Sequence, residues 1–201
     1  HDLEIRGAGE LLGENQSGQI SEIGFSLYTE ILEKAVNSLK AGEIPNPDAP
    51  LNAGIEIDLG IPAVIPDDYV YDVHLRLILY KRIASAKSTA ELDELKVEFI
   101  DRFGLLPEAT KNLFQITELR LLAEHIGLQK IDANDNGARL LFSEKPNINP
   151  GKLIELIQTS PKLYKFNGTD TLNIINELPP DANRISEITD VLQNLSEQKA
   201  A

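Results

Sequence analysis

The sequence predicts an α+β protein: an N-terminal helical arm, then a compact domain with a helical half and two antiparallel β-hairpins packed with helices. Three observations carry this reading. Segments of helical period follow one another through the first 127 residues, with a single short strand pattern among them. Two turn signals, Asn136-Gly137 and Asn167-Gly168, each sit between short apolar runs. Each of those hairpins is followed by a helical stretch, so the C-terminal half reads β-β-α-β-β-α. Runs of helix beside runs of antiparallel strand define the class.

In chain order, the first helix signal runs from about Ser21 to Ala41. Ile23, Leu27, Ile31, Ala35 and Leu39 recur at helical spacing, and Gly42 is a natural C-cap. The stretch "EIPNPDAP" follows, with Pro45, Pro47 and Pro50. Proline at such spacing forbids helix and blocks strand pairing, so residues 1–50 are divided here from a domain over 51–201. Ile55, Ile57 and Leu59 alternate as a strand, whose exit is fixed by Pro62 and Pro66. Pro66 or Asp67 opens a helix through "DDYVYDVHLRLILYKRIASA", with Val70, Val73, Leu77 and Tyr80 as its buried stripe. Lys81 and Arg82 suit the negative end of its dipole. Ser88-Thr89-Ala90-Glu91 is a capping-box pattern that starts a helix to about Arg102, stopped by Gly104. Pro107 starts a third helix to Ile126, with Gly127 as its stop and Leu113, Ile116, Leu119 and Ala123 facing the core. The hairpins take residues 128–143 and 162–175. Helices are expected over Lys152–Thr159 and about Asp181–Gln198.

Composition narrows the function classes. Of 201 residues, 42% are hydrophobic, enough for a packed core. There is no cysteine, which excludes disulfides, thiolate metal sites and cysteine nucleophiles. No apolar run is long enough to cross a bilayer as a helix, and no signal-peptide pattern opens the chain, so a cytoplasmic location is expected and no membrane partner. The net charge of −13 repels phosphate and suits a basic protein partner or plain solubility.

Motifs for chemistry are sparse. "RGAGELLG" holds Gly7, Gly9 and Gly13, but its last gap is three residues where a dinucleotide fingerprint needs two. No G-x-x-x-x-G-K-[ST] occurs, so this chain cannot hold ATP in the P-loop manner. "DANDNG", 132–137, matches the first half of a calcium loop. Its twelfth position is Ser143 where the loop requires a bidentate glutamate, so a hairpin turn is the better reading. His1, His74 and His125 lie far apart and form no ligand pair. No metal, cofactor or catalytic residue is assigned.

One helix is more informative. Glu91, Glu94, Glu98 and Asp101 are spaced 3, 4 and 3, which aligns four carboxylates along one face, opposite Leu92, Leu95, Phe99 and Phe103. Like charges four apart oppose each other by roughly 0.2–0.5 kcal/mol per pair. Lys96 lies off the row and Arg102 adjoins its end, so neither is expected to relieve it fully. The row is either a solvated amphipathic face or a docking edge for arginines of a partner or of another domain.

The opening phrase "HDLEIRGAGELLGENQSGQ" reads as the edge of a larger protein, cut just downstream of its ATPase motifs. It resembles the translocation motif that follows the last helicase motif in bacterial transcription-repair coupling factors (Mfd) and in RecG helicases. RecG-like sequences have proline where Ala8 stands. "DLGIPAVIPDDYVYDVHLRLILYKRIASAKSTAEL" and "ELKVEFIDRFGLLPEATKNL" resemble the C-terminal domain of the coupling factors, which RecG lacks. The resemblance is continuous from His1 to about Gly127 and looser beyond.

The resemblance implies a parent that is an ATP-dependent DNA translocase of helicase superfamily 2, a hydrolase with ATP and Mg bound elsewhere. Its implied partners are RNA polymerase, the excision-repair protein UvrA and double-stranded DNA. The resemblance further implies that residues 51–201 fold back on an N-terminal UvrB-like module and mask its UvrA-binding surface. Arg6, Gly7, Gly9, Glu10, Gly13 and Gln16 fall in the motif that couples ATP hydrolysis to movement. Glu98 and Asp101 become the expected docking residues, with Glu94 and Glu91 in support. The other reading is an acidic protein-interaction adaptor without motor function.

Overall fold

The computed structural model describes residues 54–196. Ten elements follow in the order β1 (Glu56–Asp58), α1 (Val73–Ser85), α2 (Thr89–Phe103), α3 (Glu108–Ile126), β2 (Leu128–Asn134), β3 (Gly137–Phe142), α4 (Pro150–Thr159), β4 (Tyr164–Asn167), β5 (Thr171–Ile174) and α5 (Ala182–Leu195). The described residues are thus a mixed α and β structure, as the class reading expects.

The sheet has five strands, in the order β1-β2-β3-β5-β4. The two hairpins account for four of them, and β3 pairs antiparallel with β5. The fifth, β1, joins parallel to β2, with Ile57 beside Ile131. This corrects the expectation of a small sheet built from two hairpins alone. A parallel neighbour needs a long crossover, and here the crossover is the whole helical segment between them.

The first hairpin differs in detail from its sequence signal. Asp135 and Asn136 form the turn, and Gly137 is already the first residue of β3, paired with Asn134. No described non-glycine residue has positive φ, so this is not the turn that Asn-Gly usually marks. Gly137 is required for another reason. Its φ is 147°, and a Cβ there would stand 2.0 Å from the Ile174 carbonyl oxygen on β5. The 132–137 stretch is therefore strand and turn, with Asn134 Oδ1 accepting from the Asn136 N–H at 2.8 Å.

Helix α1 starts later than its pattern suggests. Residues 66–70 form a turn in which the Tyr69 and Val70 amides both donate to the Pro66 carbonyl. Asp72 then caps α1 by accepting from the Leu75 N–H at 2.6 Å. The delay rotates the buried face. Val70 and Tyr80 are buried as expected, whereas Val73 and Leu77 face solvent and Leu79 and Ile83 take their places.

α3 serves two cores. Leu119, Ala123 and Ile126 join α5 and the apolar face of the sheet, around Ile131, Leu140 and Leu172. Nearer its start, buried Phe114 packs edge-on to Phe99 of α2, 5.3 Å between ring centres, beside Leu79, Ile83, Leu92 and Leu95. The extended segment 59–66 ties these cores together. Asn112 donates to the Pro62 carbonyl, Thr110 to the Val64 carbonyl, and the Ile65 amide to the Tyr80 hydroxyl at 2.6 Å. A buried arginine, Arg184 of α5, donates to the Leu59 carbonyl at 2.5 Å.

Candidate functional site: the acidic face of α2

Ser88 opens α2 by accepting from the Glu91 N–H at 3.3 Å. Glu91 returns the bond one residue earlier than a capping box would, accepting from the Lys87 N–H at 2.9 Å. One carboxylate of the row is thereby engaged in building the helix. The apolar side is seated as the spacing requires, with Leu92, Leu95 and Phe99 buried. At the far end, the Tyr69 hydroxyl donates to the Phe99 and Gly104 carbonyls, at 3.2 and 2.7 Å. Gly104 stops the helix with φ 89°.

Glu98 is the centre of the row. Arg82, from α1, grips it with two bonds, Nη1 to Oε1 at 2.7 Å and Nη2 to Oε2 at 2.6 Å. Arg102, one turn along α2, donates to Oε1 at 2.7 Å. The Arg82 and Arg102 guanidiniums pull the Glu98 carboxyl from its usual 4.5 down to about 2. Arg102 also lies over the Phe103 ring, 4.9 Å from its centre.

This geometry corrects the expectation that the row is left uncompensated. Arg102 pairs with Glu98 directly, four residues apart on one face. Lys96 turns away to Asp93 at 3.0 Å and to Glu118 of α3 at 2.5 Å. Arg82, read from sequence as a dipole cation, is the strongest partner of the row. The signal was present in its position near the end of α1. Its partner sits on the next helix, so no spacing within one helix could reveal it.

Glu94 and Asp101 are exposed, and neither is bonded to another described residue. An open groove of about 310 Å³ runs along this face, lined by Arg82, Ser85, Ala86, Glu91, Glu94, Leu95 and Glu98. The structure therefore brings the four predicted acidic residues onto one face, two engaged internally and two free to receive a cation. Arg6, Gly7, Gly9, Glu10, Gly13 and Gln16 lie outside the described residues. Among the described residues, no cluster of His, Asp and Glu could hold a metal, and no helix is long and apolar enough to cross a membrane.

Comparison with known proteins finds similarity that includes the acidic face. Residues 59–153 match the TRCF domain. That TRCF segment spans α1, α2, α3, the first hairpin and the start of α4, so it contains the whole acidic face. Over 196 residues the chain is 53% identical to the transcription-repair-coupling factor of Haemophilus influenzae, covering 98% of this chain and 17% of that protein. It is 47% identical over 201 residues to the coupling factor of Escherichia coli K12, covering all of this chain and 18% of that protein. The chain thus spans under a fifth of the length of these relatives. The described fold is similar to the crystal structure of the C-terminal domain of transcription-repair coupling factor, with a TM-score of 0.59 at 20% identity, over 70% of this chain and 89% of that one.

Proposed function

We propose that residues 51–201 are the C-terminal regulatory module of an ATP-dependent DNA translocase that couples transcription to nucleotide excision repair. In this reading residues 1–50 are the tail of the motor, and Arg6, Gly7, Gly9, Glu10, Gly13 and Gln16 link ATP hydrolysis to translocation. The module docks on an N-terminal UvrB-like module of the same protein and masks its UvrA-binding surface until the motor engages DNA and RNA polymerase. Similarity along the whole chain to coupling factors supports the parent. The observation that carries the docking role is the α2 face, where exposed Glu94 and Asp101 flank Glu98 beside an open groove.

Cationic side chains of a masked surface would pair chiefly with Asp101 and Glu98, with Glu94 and Glu91 lengthening the contact. Exposed ion pairs supply only about 0.2–1 kcal/mol each, so a few of them make a latch that a motor can release. The test uses a full-length coupling factor carrying this sequence, without DNA or polymerase. Deleting residues 51–201, or combining Asp101→Arg with Glu98→Gln, should increase UvrA captured in a pull-down. Capture unchanged by both alterations overturns the masking role.

A further inference from the structure

The bonding at Glu98 points to a regulator of that same latch, and this inference rests on the docking reading above. A carboxylate offers about four acceptor positions on its two oxygens. On Glu98 three are taken: Oε1 accepts from both Arg82 and Arg102, and Oε2 accepts from Arg82. With one anion and two guanidiniums, the cluster carries a net charge of +1. An arriving arginine therefore meets a carboxylate most of whose acceptor positions are taken, with two guanidiniums beside it that offset the attraction of the flanking carboxylates.

We infer that Arg82 and Arg102 are built-in competitors for the docking carboxylate, which hold the latch weak by occupying Glu98 until a partner cation displaces one of them. The two differ in how readily they yield. Arg82 makes a forked pair with both oxygens and joins α1 to α2. Arg102 makes a single bond and has the Phe103 ring to rest against when it lets go. Arg102 is the residue displaced. Asp101 and Glu94, which have no side-chain partner among the described residues, act as the first contacts, and Glu98 is the last carboxylate to engage.

Competition has an inverted signature. Removing a cation from a docking surface that used it would weaken binding, but removing a competitor strengthens it. The experiment titrates the 201-residue chain with a coupling factor that lacks its own C-terminal region and measures Kd by calorimetry. Arg102→Gln should tighten binding about two- to five-fold, the worth of one exposed ion pair. Arg102→Lys should stay near the parent value, and Glu98→Gln should weaken binding. Because Arg102 is at the exposed end of α2, its replacement leaves the core intact, and a thermal melt of the variant checks this. If Glu98→Gln weakens binding while Arg102→Gln leaves it unchanged or weaker, the competitor role is overturned and the docking role stands. If Glu98→Gln has no effect, the use of Glu98 in docking falls and the competitor role falls with it.

Discussion

Arg184 and Asp135, 49 residues apart in sequence, meet at 2.5 Å, with the guanidinium buried at 2% exposure and the carboxylate 75% exposed. The pair stands at a junction. The same guanidinium donates to the carbonyls of Leu59, where the chain leaves β1, and Leu178, before α5. It closes against Gly60, whose φ of 60° and lack of a side chain leave room for it, since a Cβ would lie 3.3 Å from Nη1. One side chain thus ties β1, the first hairpin and α5.

Arg184→Met should destabilise the domain by about 2–4 kcal/mol, because two buried carbonyls lose their donor. Asp135→Asn should cost about 1 kcal/mol or less, since the buried cation keeps its carbonyl partners and only an exposed carboxylate is changed. Urea denaturation of the two variants checks the order. A larger loss in the Asp135 variant would reverse the account.

The Glu98 carboxyl is depressed from 4.5 to about 2 by Arg82 and Arg102. A folded-state value below the unfolded one means the folded state binds fewer protons in between. The contribution of Glu98 to stability should be fully present above about 4.5 and fade as pH falls toward about 2. Carbon-detected titration of Glu98 should show its low midpoint, and Arg82→Gln should move that midpoint upward.

Tyr80→Phe should cost about 1–3 kcal/mol, since the buried Ile65 amide would lose an acceptor held at 2.6 Å. Hydrogen exchange offers a local readout. Protection at Ile65 and Val64 should fall more than protection in the sheet.

Gly137→Ala should disrupt the β3–β5 pairing, because the new methyl would meet the Ile174 carbonyl, and the φ of 147° is strained for alanine. The backbone strain alone is worth about 1–3 kcal/mol. Loss of the cross-strand contacts of Ala138 with Ile174 in NMR spectra would report the disruption directly.

The 201-residue chain should hydrolyse no ATP, because it carries no phosphate loop. In a full-length coupling factor carrying this sequence, Arg6→Ala should impair triplex displacement while leaving ATP binding nearly intact. Turnover by the 201-residue chain, or normal displacement by the Arg6 variant, would contradict these expectations.

Local signals were legible wherever structure depends on neighbours along the chain. Ser88, Gly104, Pro107 and Gly127 bound their helices as read, because caps and stops act within one turn. The alignment of Glu91, Glu94, Glu98 and Asp101 followed from helical period alone. The late start of α1 was not legible. Asp72, not Pro66 or Asp67, caps it, and the turn that precedes it is held by packing of Val70 and by Tyr69 reaching α2. The glycine of "NDNG" was legible as a glycine that matters, for the wrong reason: its cause is the approach of β5, not the turn.

The sequence by itself determined the α+β class, the spans of most helices, both hairpins and the acidic row, because periodicity, caps and turn chemistry are written in short windows. Only the tertiary structure decided that β1 adds a parallel fifth strand, that Arg184 is buried at a three-way junction, and that Glu98 is held by Arg82 from another helix. Each of these joins groups far apart in sequence. Their free energy depends on distance, desolvation and geometry in space, which residue spacing along the chain does not encode.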